Sequence, residues 1–158
     1  MSRFVVGALL LSHGVRRDVR LDLAFDGEGR ISFDGGSMRN VRPDEQSLSG
    51  ILRAGLRRLR ERGGGRIMQG INTDHIPVED LLDGAKGARL YFAGTGGKSP
   101  VPGDDFCAFF QLPSLEDGTE GMLTRRGFRS VSMGRCQLSP DQAVVVLNNR
   151  ADRILARG

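Results

Sequence analysis

The chain has 158 residues, 39% of them hydrophobic and 27% charged, which suits one globular domain with a core of its own. No apolar run reaches the roughly 18 residues of a membrane span. Two cysteines and two histidines give no metal-ligand spacing, so no zinc site is expected. The net charge is +4 and the isoelectric point about 9.8, carried almost wholly by arginine. Arginine forks suit phosphate, so nucleic acid is one reading of that charge. An arginine-rich proteome is the other.

The N-terminal stretch "SRFVVGALLLSHGVRRDV" lacks a small-x-small cleavage site and runs straight into charge, so it reads as a buried helix rather than a leader. "VRLDLAF" (19–25) alternates apolar and polar residues as a strand does. "GRISF" follows the turn-prone "DGEG", which predicts a short hairpin or an extension of the strand. "RPDEQSLSGILRAGLRRLRERGG" predicts a helix with Asp44 as cap and glycines at its end. Leu48, Ile51, Leu52, Leu56 and Leu59 form its apolar stripe, and Arg53, Arg57 and Arg60 lie on another face. That basic face is either a solvated surface or an RNA contact.

"RIMQGI" (66–71) reads as a short strand or strand end, and "PVEDLLDG" as a short helix. "ARLYFAG" (88–94) is a strand ending in glycine. "FCAFFQL" (106–112) is a continuous apolar run, the pattern of a strand buried on both faces, with Cys107 a buried thiol within it. A helix is expected in "EDGTEGMLTRRG", a strand in "FRSVSMG" (128–134), and a last helix from "LSPDQAVVVLNN" with Ser139 as N-cap and Pro140 at the first position. Strands alternating with helices define an α/β class with a mainly parallel sheet. Ligands bind such sheets at the C-terminal strand ends. Three loops qualify: those after Phe92, Phe110 and Val131.

The stretch "YFAGTGGKSP" (91–100) invites a phosphate-loop reading through Gly97-Lys98-Ser99. The motif needs its first glycine at position 92, which is Phe92. It also needs a helix to follow, and Pro100 and Pro102 forbid one there. A nucleotide-hydrolase class is therefore rejected. A strand ending in a flexible loop remains, with Lys98 as a rim charge.

The segment Leu10-Leu11-Ser12-His13-Gly14-Val15-Arg16-Arg17-Asp18-Val19 resembles the "FFLSHxIRxDV"-like motif of the archaeal tRNA pseudouridine-54 N1-methyltransferases of the SPOUT superfamily. "VRPDEQSL" (41–48), "MQGI" (68–71) and "RRGFRSVSMGRCQLSPDQAVVVLNNRADR" (125–153) extend the resemblance over nearly the whole chain. It implies one SPOUT-type domain over 1–158, a C-terminal trefoil knot, a homodimer, a cytoplasmic location, and S-adenosylmethionine (SAM) as cofactor. It puts cofactor contacts at Phe92, Gln111, Leu112, Ser132, Met133, Gly134 and Cys136. The sequence departs from the family where Gln111-Leu112-Pro113 replaces a Gly-Asp-His core, where Arg135 stands for proline, and where Ala143 stands for cysteine. Relative to the family, it also starts inside the first helix.

The reaction so implied is methylation of N1 of a pseudouridine in tRNA. N1 becomes a nucleophile as its proton leaves, and Asp18 is the candidate to take that proton. Arg17 would hold Asp18 or bind a phosphate or uracil carbonyl; a surface ion pair is the plain alternative for the two. His13 and Ser12 are weaker candidates, because no ordered Ser-His-Asp constellation follows from the spacing. Arg16, Arg20, Arg53, Arg57 and Arg60 are the expected RNA track, and no metal is required. Two other functions stay open: methylation of another RNA or a free C-nucleoside, and a degenerate dimer that binds RNA without catalysis.

Overall fold

A computed structural model of the chain describes residues 1–11, 14–85, 87–100, 105–112, 116, 118–134 and 138–156, with only the backbone of Thr95, Gly96 and Leu155. Ser12, His13, Pro113, Arg135 and Cys136 lie outside the described residues. The chain divides into two compact units, Met1–Leu81 and Leu82–Gly158. Among the described residues no helix is long and apolar enough to cross a membrane.

The expected N-terminal helix is present but short. Helix α1 (Ser2–Leu9) buries Phe4, Val5, Ala8 and Leu9, one face of a 3.6-residue repeat. It stops because Leu10 turns extended, and Leu10–Leu11 (β1) pairs antiparallel with Gly14–Val15 (β2). Strands β3 (Arg20–Phe25) and β4 (Gly29–Asp34) form the expected hairpin. Helix α2 (Glu45–Arg62) begins where Asp44 accepts the Ser47 amide at 2.7 Å and ends on Gly63 in the left-handed region. "RIMQGI" is more than a strand end: β5 (Gly65–Met68) and β6 (Ile71–Asp74) pair as a hairpin around Gly70.

These strands form one sheet in the order β3-β4-β6-β5, antiparallel throughout. The expectation of a mainly parallel sheet is thus corrected for this unit. Turns as short as Asp26-Gly27-Glu28 and Gln69-Gly70 can only reverse the chain; a parallel neighbour needs a crossover of a dozen residues. Leu23, Ile31, Phe33 and Ile71 are buried and share one face by register. Helix α2 lies against it with Leu48, Leu52 and Leu59 buried, while Ile51 and Leu56 are half-buried. Gly55 lets the helix come close: a Cβ there would stand 2.6 Å from Ile31 Cδ1.

The opposite face of β4 holds Arg30, only 6% exposed. Its guanidinium donates to Asp74 (Nε to Oδ1, 3.0 Å, and through Nη2) and to Asp22 Oδ1 at 3.2 Å. Arg30 and Asp74 are direct cross-strand partners, so the pair also fixes register. Burial works against the Asp74 carboxylate, but hydrogen bonds from Arg30 and the Ile76 amide outweigh it and lower its pKa. A carboxyl depressed in the fold stabilises above the ordinary aspartate pKa of about 4 and loses that contribution as pH falls through its folded value. Denaturant unfolding should therefore show stability declining below about pH 4, and Asp74→Asn should flatten part of that decline. Arg30→Ala should cost roughly 2–3 kcal/mol, less than the 3–5 of a fully buried pair because both carboxylates keep some water. Unaltered unfolding midpoints in both variants would remove this network from the stability of the unit.

Helix α3 (Val78–Gly84) leads into the second unit. There β7 (Arg89–Lys98), β8 (Phe106–Phe109) and β9 (Arg129–Val131) form a parallel sheet in the order β8-β7-β9. Here the parallel expectation holds. Helix α4 (Thr119–Arg125) precedes β9, and α5 (Pro140–Leu155) follows it, entered through Ser139 and Pro140 as expected. The Ser139 amide donates to Gln142 Oε1 at 3.2 Å, half of a capping box. Tyr91, Val131, Met133, Ala143 and Leu147 form the buried core, with Phe106, Ala108, Phe110 and Leu138 packed against it.

Two expectations change here. The "FCAFF" strand is an edge strand among the described residues, and Phe106 to Phe109 are half-buried rather than enclosed on both faces. The strand at "YFAGTGGK" does not end at Gly94. Ala93 and Lys98 both pair with Val131, so residues 94–97 bulge out and the chain rejoins the ladder. Gly97 permits this, since a Cβ there would stand 2.2 Å from the Ser130 carbonyl oxygen.

Candidate active site

Asp18 lies exposed in the turn between β2 and β3. Among the described residues its carboxylate has no hydrogen bond or ion pair. The expected Arg17–Asp18 pair does not form. Arg17 Nη1 instead donates to two carbonyls, Gly35 O at 3.0 Å and Met38 O at 2.7 Å. Arg17 is thus a brace under the turn, which leaves the neighbouring carboxylate unengaged.

The brace is part of three interlocked turns. The Gly35 amide donates to Val19 O at 3.0 Å, and the Arg16 amide to Leu9 O at 2.7 Å. Gly35 has no room for a side chain, because a Cβ would stand 1.9 Å from Arg16 O. The segment Asp34–Met38 is closed by Asp34, whose side chain accepts from the Ser37 hydroxyl and from the Gly36 amide at 3.1 Å. Those hydrogen bonds, the Ser37 hydroxyl first, hold the Asp34 carboxyl below its ordinary pKa. The Asp34 amide donates to Gly70 O at 2.8 Å. Gly70 has φ of +78° and sits so close to Met38 that a Cβ would meet its amide nitrogen at 2.5 Å. Met38 is fully buried beneath.

The "VRRDV" and "MQGI" segments are therefore joined through "DGGSM" (34–38), which the sequence analysis did not single out. Its Asp-Gly-Gly-Ser composition is a turn signal that could have found it.

The expected RNA arginines do not form one track. Arg20 pairs with Asp22 (Nε to Oδ2, 3.1 Å), and Arg60 with Glu28 (Nε to Oε2, 2.8 Å). Arg53 Nε donates to Ser49 O at 3.3 Å along its own helix. Arg16 is half-buried, and Arg57 is exposed on α2.

In the second unit Gln111 and Leu112 follow β8 and Ser132, Met133 and Gly134 follow β9, whereas Phe92, expected at a strand end, lies inside β7. Phe92 is 2% exposed, between Phe109 and Ser130 in register, so its ring belongs to the core. Gln111 Oε1 accepts the Glu116 amide at 3.0 Å and ties off the loop after β8; Leu112 is half-buried beside it in sequence. In the loop after β9, the Ser132 hydroxyl donates to Gly134 O at 2.8 Å. The Ser132 amide donates to Lys98 O at 3.0 Å, linking the loop to the end of the glycine bulge.

Arg150, on α5, was not anticipated. It donates from Nη1 to Ser132 O at 3.3 Å and from Nη2 to Met133 O at 2.9 Å. One planar fork thus grips two successive carbonyls of the loop.

Met133 is buried, yet Gly134 is exposed, with nothing within 4 Å of an added Cβ. Phe110, Leu112 and Leu138 are half-buried, and Phe110 and Leu138 pack against the core.

Parallel strands whose C-terminal ends carry the candidate loops are the mark of an α/β ligand-binding enzyme. Residues 1–156 match the family described as "Putative SAM-dependent RNA methyltransferase", and the chain belongs to that family. SAM is the cofactor of that family.

The chain is 28% identical over 172 residues to the tRNA (pseudouridine(54)-N(1))-methyltransferase of Haloarcula marismortui, covering 96% of this chain and 81% of that protein. It is 31% identical over 162 residues to the protein of the same name from Methanopyrus kandleri, covering 95% and 76%. The resemblance read from the sequence is borne out. Among solved structures, Archaeoglobus fulgidus Nep1 bound to S-adenosylhomocysteine shares the fold: TM-score 0.68, 14% identity, covering 98% of this chain and 69% of that one.

Proposed function

We propose that this protein transfers a methyl group from SAM to N1 of a pseudouridine in tRNA. The observation that carries this reading is near full-length similarity to several proteins named for that reaction. The chemistry of the two sites agrees with it. SAM supplies an electrophilic methyl on a sulfonium and leaves as S-adenosylhomocysteine.

Asp18 accepts the N1 proton as the new N–C bond forms, so no anionic base has to be released into water. Its exposed, unpaired carboxylate suits that task, and Arg17 holds the turn that presents it. Gln111, Leu112, Ser132, Met133, Gly134 and Cys136, with the backbone at Phe92, bind and orient the cofactor. Proximity and alignment then supply most of the remaining rate. Of the expected RNA arginines, Arg16, Arg53 and Arg57 face the RNA backbone, while Arg20 and Arg60 are held by Asp22 and Glu28. A C-terminal trefoil knot, a homodimer and a cytoplasmic location complete the reading.

The test mixes the protein, methyl-labelled SAM and tRNA with or without pseudouridine. Label is expected in the pseudouridine-containing RNA alone. Proven SAM binding with no transfer to any RNA would sink the reaction; absence of SAM binding would favour an RNA-binding protein without catalysis.

A further inference from the structure

Two surface hollows adjoin in the first unit, between α2 and β5. One, of about 320 Å³, is lined by Arg57, Arg58 and Arg62 with Glu61, over Ala54 and Ile67. The other, of about 460 Å³, shares Ala54 and Ile67 and continues along Val41, Gly50, Ile51 and Met68, with Arg42 in its wall. Together they make one groove with a cationic half and an apolar half.

Its charge is unbalanced: four arginines against one glutamate. Arg58 Nη1 donates to Arg66 O at 2.6 Å, which ties that guanidinium across from helix to strand. Arg57 and Arg62 have no acidic partner among the described residues. By contrast, Arg20 and Arg60 are matched by Asp22 and Glu28. Two cations without an acidic partner, Arg57 and Arg62, thus line the groove.

We propose that this groove binds a single-stranded segment of the RNA substrate, with phosphates on Arg57, Arg58 and Arg62 and base faces over Ile51, Ile67 and Met68. The proposal rests on the reading of the protein as an RNA methyltransferase. Splayed bases need apolar surface beside a cationic track, and a duplex, whose bases are stacked inside, does not. A second copy of the chain, itself at +4, or a peptide without acidic residues would use the apolar half but leave the arginines unmatched.

Gly50 offers a clean test. It lies in the groove, it is exposed in α2, and a Cβ there meets nothing within 4 Å. Gly50→Glu therefore adds a carboxylate to the groove with no steric conflict, and the helix gains a better former than glycine. Binding of pseudouridine-containing tRNA is measured over a salt series in the full chain, with SAM affinity and thermal midpoint recorded for each variant. Gly50→Glu should weaken tRNA binding about tenfold or more, and Gly50→Ala should bind as the parent does. Arg57→Ala with Arg62→Ala should weaken binding and lower the slope of log K against log salt by about 1–2. SAM affinity should stay the same in all three.

Parent-like tRNA binding by Gly50→Glu, with an unchanged salt slope in the double variant, would overturn the proposal. So would a change in sedimenting mass on Gly50→Glu, which would make the groove a subunit interface. Methyl transfer failing while the groove variants still lose RNA would defeat the proposed reaction and leave the groove standing. A parent protein that retains no RNA would defeat both.

Discussion

Asp18→Asn is expected to lower the rate of methyl transfer by about 10²–10⁴-fold, the usual contribution of a positioned proton acceptor. The substitution keeps the size of the side chain and removes its negative charge, and with it the capacity to take a proton. Asp18 is exposed and makes no side-chain bond among the described residues, so folding should be unaffected. SAM affinity should also be unchanged. Single-turnover transfer to pseudouridine-containing tRNA, beside calorimetry of SAM binding, measures both quantities. Full activity in the variant would remove Asp18 from the chemistry.

Arg17→Ala should behave differently, because it breaks two bonds to Gly35 and Met38. Hydrogen bonds to a charged group are each worth about 1.5–3 kcal/mol. Arg17→Ala should thus lower the thermal midpoint as well as the rate, whereas Asp18→Asn lowers the rate alone. That split separates a brace from a proton acceptor.

The second large effect is expected at Arg150. Its fork holds Ser132 O and Met133 O, and with them the loop proposed to carry the cofactor. Loss of the fork releases about 2–3 kcal/mol of loop order, less for a bond as long as 3.3 Å. If that order is what SAM binding uses, Arg150→Ala weakens SAM by roughly 30–140-fold. Arg150→Lys should recover only part of it, since an ammonium cannot grip two carbonyls with one planar group. The signature is a raised KM for SAM with kcat largely spared at saturation. A lowered thermal midpoint with unchanged SAM affinity would assign Arg150 to stability only.

Much of the local structure was legible. The hairpin after residue 19, the capped helix from Asp44 and the helix entered through Ser139 and Pro140 all carry signals within a few neighbouring residues. The rejection of the phosphate loop also rested on local spacing, and the bulge at 94–97 agrees with it. What was misread depended on partners distant in the chain. "FCAFF" has the composition of an enclosed strand, but its place at the edge of the sheet is a property of the other strands. Arg60 read as a free cation because Glu28 becomes its partner only once the hairpin and α2 are in place, whereas the Arg20–Asp22 pair, two residues apart on β3, was open to view in the sequence.

By itself, then, the sequence determined the longer helices, the hairpin after residue 19, the class of the second sheet and the family resemblance. Those depend on side-chain type at short spacing, which a sequence displays directly. Only the tertiary structure decided that Arg17 is a brace, that Arg150 clamps Ser132 and Met133, and that Asp34–Met38 joins the two motif turns. In each case much of the contact runs through backbone amides and carbonyls. Nearly every residue carries the same pair, so nothing in the side-chain pattern says which of them the folded chain will bring together.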